Sequence, residues 1–60
     1  MLIEHIELYM RRTKTSPSRF GREVLGDPNF VMTLRDGRKP REATARRIIA
    51  FIAAADRVGT

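Results

Sequence analysis

The sequence predicts an all-α domain, a compact four-helix domain with helices at about 2–12, 17–25, 28–36 and 42–56, and three observations carry that prediction. Apolar residues recur at three- and four-residue spacing in the longer segments. A capping residue precedes proline twice, at Ser16-Pro17 and Asp27-Pro28, and proline is best tolerated at the first position of a helix. No alternating strand pattern, internal repeat or low-complexity run is present.

Sixty residues make a single domain, 1–60. A chain of this length buries only about 60% of the surface its unfolded form exposes, so small domains lean on disulfides, metals or a partner chain. With no cysteine, disulfides and thiolate sites are excluded, and the lone His5 cannot build a zinc site. A second copy of the chain is therefore the expected support. The content of 42% hydrophobic and 32% charged residues places the chain among globular rather than disordered sequences.

The charge is unevenly spread. Net charge is +5 with ten arginines and two lysines, and residues 11–47 hold eleven basic against four acidic side chains. Arginine's planar, permanently charged fork suits phosphate and guanine edges. A solvated basic surface with no partner is the alternative. The N-terminus is apolar but carries Glu4, His5 and Glu7, unlike a signal peptide, and no apolar run approaches the ~20 residues that span a bilayer. A cytoplasmic, nucleoid-associated protein without membrane contact is expected.

In the first helix Leu2, Ile3, Ile6, Tyr9 and Met10 share a face, while Leu8 falls off it. Glu4 and Glu7 near its start and Arg11 and Arg12 near its end match the helix dipole. His5 has no partner at a diagnostic spacing and reads as structural or solvated. After a polar linker, Ser16 caps the second helix, with Phe20, Val24 and Leu25 facing inward. Gly21 sits in its middle at a cost of about 1 kcal/mol relative to alanine, which makes sense if another helix backbone crosses close by.

Gly26 ends that helix and Asp27 caps the next, whose Phe30, Val31 and Leu34 form one face and Asn29, Met32, Thr33 and Asp36 the other. Gly37 stops it, and Arg38, Lys39, Pro40 and Arg41 form a basic loop. In the last helix Ala45, Ile48, Ile49, Ile52 and Ala55 make an apolar stripe with Phe51 to one side. The stripe is wide, so Ile49, Phe51, Ala53 and Ala54 continue either into a larger core or into a partner subunit. A frayed tail is expected over Val58–Thr60.

Two short helices joined by so tight a turn must cross steeply, which pushes one face of the second outward, as in helix-turn-helix units. Residues 17–37 resemble the helix-turn-helix of the lambda-repressor and Cro-like family of small transcriptional regulators. The likeness rests on Phe20, Gly21 and Val24, on Asp27 as cap, on Val31 and Leu34, and on Gly37 with its basic loop. Gly26 stands one place later than the family's turn glycine, and the chain is short for a family that commonly carries a fifth, dimerising helix.

The resemblance implies that the helix over 28–36 enters the major groove of double-stranded DNA. Asn29 and Thr33 would then meet base edges and Met32 would make apolar contact, with asparagine suited to adenine and threonine to either hydrogen-bond polarity or a thymine methyl. Phe30 could touch a thymine methyl, but its spacing to Leu34 favours the core. Asp36 is expected to cap or to pair locally with an arginine. Ser16 and Ser18 with the free amides of their helix, and Arg19, Arg22, Arg38, Lys39 and Arg41, are the expected phosphate contacts, each arginine being otherwise a solvated side chain.

Three classes of function follow. The first is a sequence-specific repressor, a homodimer with the last helix as its candidate seam, on half-sites about 34 Å apart. The second is a protein-interaction module, such as a phage inhibitor or an antitoxin fragment, using the apolar stripe of the last helix. The third is a nucleoid-type binder of any duplex. No catalytic residues are expected, because the chain lacks a partnered histidine, a cysteine, a glycine-rich phosphate loop and a suitably placed carboxylate pair. No metal, cofactor or small-molecule ligand is expected either.

Overall fold

In the computed structural model, which describes the backbone of residues 1–58 and the side chains of residues 1–56, four helices follow one another. They are α1 (Leu2–Thr13), α2 (Pro17–Leu25), α3 (Phe30–Arg35) and α4 (Glu42–Val58), and no strand occurs among the described residues. Each helix turns at least one fully covered side chain inward: Ile6 and Met10 from α1, Phe20 and Val24 from α2, Val31 from α3 and Ile48 from α4. The Cα radius of gyration is 10.7 Å. A packed chain of this length is expected at about 10.4 Å, so one core closes within the single chain.

The helix ends follow local chemistry. Lys14 takes the left-handed conformation (φ 55) after α1, and the amides of Lys14 and Thr15 both return to the Met10 carbonyl. That closure satisfies the Met10 carbonyl and turns the chain with a lysine in the place where glycine is commonest. Ser16 caps α2 by accepting the Arg19 amide on Oγ at 3.2 Å, with Pro17 at the first helical position as expected. Gly26 (φ 69) ends α2, and its amide bonds the Arg22 carbonyl at 3.0 Å. The Asp27 amide then reaches back to the Gly21 carbonyl at 3.1 Å.

This reversal lays the backbone of Asp27 over Gly21. A Cβ added at Gly21 would overlap the Asp27 carbonyl oxygen and lie 3.5 Å from the Phe30 Cβ. The helix-breaking residue is thus present for room, and the backbone that crosses it belongs to the turn.

Two expectations need correction, and two alternatives that the sequence leaves open are decided. First, α3 begins at Phe30, not Pro28, because Asp27 makes a tight turn instead of a helix cap. Its Oδ1 accepts the Asn29 amide at 3.0 Å and its carbonyl accepts the Phe30 amide at 3.2 Å, which leaves Pro28 and Asn29 outside the helix. Asp36 follows α3 as its C-cap and Gly37 (φ 100) completes the stop. Second, α4 extends to Val58, so Val58 is helical, and the rest of the expected tail lies outside the described residues. Third, of the two places open to Phe51, a larger core or a partner subunit, the core takes it. Its ring meets Tyr9 at 5.8 Å and Phe20 at 6.0 Å, with Tyr9 and Phe20 5.7 Å apart, all edge to face. Such pairs add about 0.5–1.5 kcal/mol each beyond burial, and the trio joins α1, α2 and α4. Fourth, of the two roles open to Asp36, capping or pairing with an arginine, it takes the first as C-cap of α3, and its carboxylate forms no ion pair among the described residues.

Ile49 is 53% exposed and Leu8 55% exposed. No described helix is long and apolar enough to cross a membrane.

Candidate nucleic-acid interface

The site is built on α3, six residues whose apolar side is held by the core. Val31 is fully buried, and Phe30 and Leu34 pack against the same cluster. Helical spacing then turns Met32 outward, where it is 53% exposed, and Asn29 is exposed at the turn before the helix. Asn29 is held by its backbone, its amide on Asp27 and its carbonyl accepting the Thr33 amide at 3.1 Å, and its side chain makes no hydrogen bond among the described residues. Thr33 is half-buried. Its Oγ1 donates to the Phe30 carbonyl at 2.8 Å, so the hydroxyl proton is committed and only lone pairs and the methyl remain for a ligand.

The cations divide by partner. Arg12 pairs with Asp56, Arg19 with Glu23 at 3.4 Å, Arg35 with Glu7 and Arg46 with Glu42 at 3.4 Å. Arg22, Arg38, Lys39 and Arg41 are exposed and form no ion pair among the described residues. Arg38 and Lys39 border a groove of about 330 Å³ with Leu34, Gly37 and the first residues of α1, which puts the basic loop at the C-terminal end of α3. Arg19 and Arg22 lie three apart on the outer side of α2, away from buried Phe20 and Val24.

At the start of α2, the expected anion site is narrower than four free amides. Pro17 has no N–H, the Arg19 amide goes to Ser16 Oγ and the Phe20 amide to the Ser16 carbonyl. The Ser18 amide and the two serine hydroxyls remain.

One element of the surface had no counterpart in the sequence reading. Arg35, in the last turn of α3, grips Glu7 of α1 through Nε–Oε2 at 2.7 Å and Nη2–Oε1 at 2.8 Å. The Arg35 hydrogen bonds, opposed by partial desolvation and aided by the charges of Arg35 and Arg11, hold the Glu7 carboxyl below the ordinary glutamate range. A carboxyl that titrates lower in the folded than in the unfolded chain adds stability above its unfolded pKa and loses it as pH falls through the folded value. Wild-type protein should therefore melt above a Glu7→Gln variant near neutral pH, and the two melting temperatures should converge as the pH falls through the lowered folded pKa of Glu7.

On the opposite side, His5, Ile49, Ile52, Ala53 and Asp56 line a shallow groove of about 210 Å³ between α1 and α4. No group of three or more metal-ligating side chains occurs among the described residues. Fold and surface together define a four-helix, all-α domain whose third helix is anchored on one side and open on the other. Comparison with protein-family models, with curated proteins and with solved structures yields no match to this chain.

Proposed function

We propose that the chain binds double-stranded DNA sequence-specifically through α3 and acts as a small transcriptional repressor of the lambda-repressor and Cro-like helix-turn-helix kind. The observation that carries this reading is α3 itself, anchored by buried Val31 while Asn29 and Met32 stand exposed beside a loop of cations that form no ion pair among the described residues. A helix pinned on one side, with Asn29 and Met32 uncharged at the start of the other, suits base edges, and the flanking cations suit phosphates. In this reading Asn29 takes adenine, Met32 a thymine methyl, and Thr33, its proton committed to Phe30, accepts from the amino group of adenine or cytosine. Ser16, Ser18, Arg19, Arg22, Arg38, Lys39 and Arg41 hold the backbone, and a homodimer places two copies of α3 about 34 Å apart.

Selection from a random duplex pool tests the reading. Wild-type protein should enrich a defined, two-fold-related sequence and prefer it to random duplex by at least about a thousandfold at physiological salt. The Asn29→Ala/Thr33→Ala variant should lose most of that preference while keeping its affinity for random duplex. Equal affinity of wild-type protein for all duplexes would leave a nucleoid-type binder instead.

A second reading, a protein-interaction module, draws on the groove around Ile49 and Ala53. Binding of that kind would survive the Asn29 and Thr33 substitutions and fail on Ile49→Glu.

A further inference from the structure

We infer that Glu7 and Arg35 are a positioning pair for the reading helix, and that Arg35 serves by holding α3 in place and stays off the DNA. The inference rests on the DNA-binding reading and assigns a role that composition would give to a phosphate contact. An arginine in the last turn of a base-reading helix, inside the most basic part of the chain, ordinarily belongs to the cationic rim.

The geometry spends Arg35 elsewhere. Both Glu7 oxygens engage it, at 2.7 and 2.8 Å, and its remaining terminal nitrogen, Nη1, lies 3.9 Å from the Met32 sulfur. Three of the five guanidinium N–H groups are thereby engaged, one on each nitrogen, and the two on the face of the carboxylate are aimed at α1. The fork-on-fork arrangement fixes direction as well as distance, which a lysine at this position could not do.

The need for a tether follows from the length of α3. Six residues cannot hold helical structure by themselves, and the core grips this helix mainly through Val31. Glu7 belongs to α1, where its neighbour Ile6 and Met10, one turn on, are buried, so its backbone is fixed. Among the described residues no other ion pair reaches α3. The Arg19–Glu23 and Arg46–Glu42 pairs each lie within one helix and are more exposed. The tether thus sets the roll of α3 against α1 and, through Nη1, the direction of the Met32 side chain on the reading face.

The test uses the full chain as wild type, Glu7→Gln, Arg35→Gln and the exchanged pair Glu7→Arg/Arg35→Glu. Affinities for the selected and for random duplex are measured across a salt series, and amide exchange is followed in the free protein. Each single variant should lower the ratio of selected to random affinity roughly tenfold, about the effect of one mismatched base pair, with the salt slope unchanged. Exchange should accelerate over residues 33–36 and stay as it was in α4, and the exchanged pair should restore both readouts. The inference is overturned if Arg35→Gln reduces the salt slope by about 0.9 and Glu7→Gln tightens binding, for Arg35 would then be a phosphate contact. It is equally overturned if exchange in α3 is unaltered in both single variants. A wild-type chain without sequence preference would remove the DNA reading, whereas faster exchange in the single variants would still uphold the tether.

Discussion

Gly21→Ala is expected to lower the melting temperature by roughly 5–15 °C and to disturb DNA binding even where the protein remains folded. The added Cβ overlaps the Asp27 carbonyl oxygen, a backbone atom that cannot swing aside, and its next neighbour is the Phe30 Cβ at 3.5 Å. Overpacking of this kind costs about 1–3 kcal/mol and sometimes more, and the better helix propensity of alanine returns about 1 kcal/mol. The clash therefore dominates. Relief requires the turn to move away from α2, and Phe30 with the whole of α3 moves with it. Gly26→Ala is the control: Gly26 has φ +69 but open space around it, so alanine there meets backbone strain of about 1 kcal/mol and no collision. Thermal melts of the two variants should rank them in that order, and only Gly21→Ala should change the sequence preference.

The second large effect is on affinity. Replacing Arg38, Lys39 and Arg41 together with glutamine should make the slope of log affinity against log salt shallower by up to about 2.7, or about 0.9 for each phosphate no longer neutralised. Selected and random duplex should weaken alike, because phosphate contacts carry no base information. The melting temperature should hardly change, since the three side chains are exposed and form no ion pair among the described residues. A fluorescence-anisotropy salt series on wild type and triple variant reads the slope directly.

Most of the fold was legible because its determinants are local. The Ser16-Pro17 cap, the stop at Gly26 and the three- and four-residue spacing of Ile6 and Met10 or Phe20 and Val24 act within one or two turns of helix. Gly21 was legible in kind, since a glycine inside a helix asks for a close neighbour, though not that the neighbour is the Asp27 carbonyl. What escaped the sequence depends on competition or distance. Asp27 can cap a helix or close a turn with nearly the same atoms, and the turn took precedence, shortening α3 by two residues at its start. Phe51 lies at the edge of the α4 stripe by periodicity, yet Tyr9 and Phe20, supplied by other helices, give it a place in the core. The Glu7–Arg35 pair spans 28 positions with no local signal at either end. Of the reading face, spacing correctly turned Val31 and Leu34 inward and Met32 outward, and the return of the Thr33 hydroxyl to its own helix is a side-chain choice that spacing does not encode.

The central claim is that α3 and the loop after it meet DNA. Backbone amide shifts recorded while an enriched duplex is titrated into labelled protein test it most directly. The account predicts the largest changes at Asn29–Arg35, at Arg38, Lys39 and Arg41 and at Ser16–Arg22, with His5, Ile49 and Ala53 unaffected by contact with the duplex. Changes concentrated on His5, Ile49, Ile52 and Ala53, with α3 silent, would contradict it.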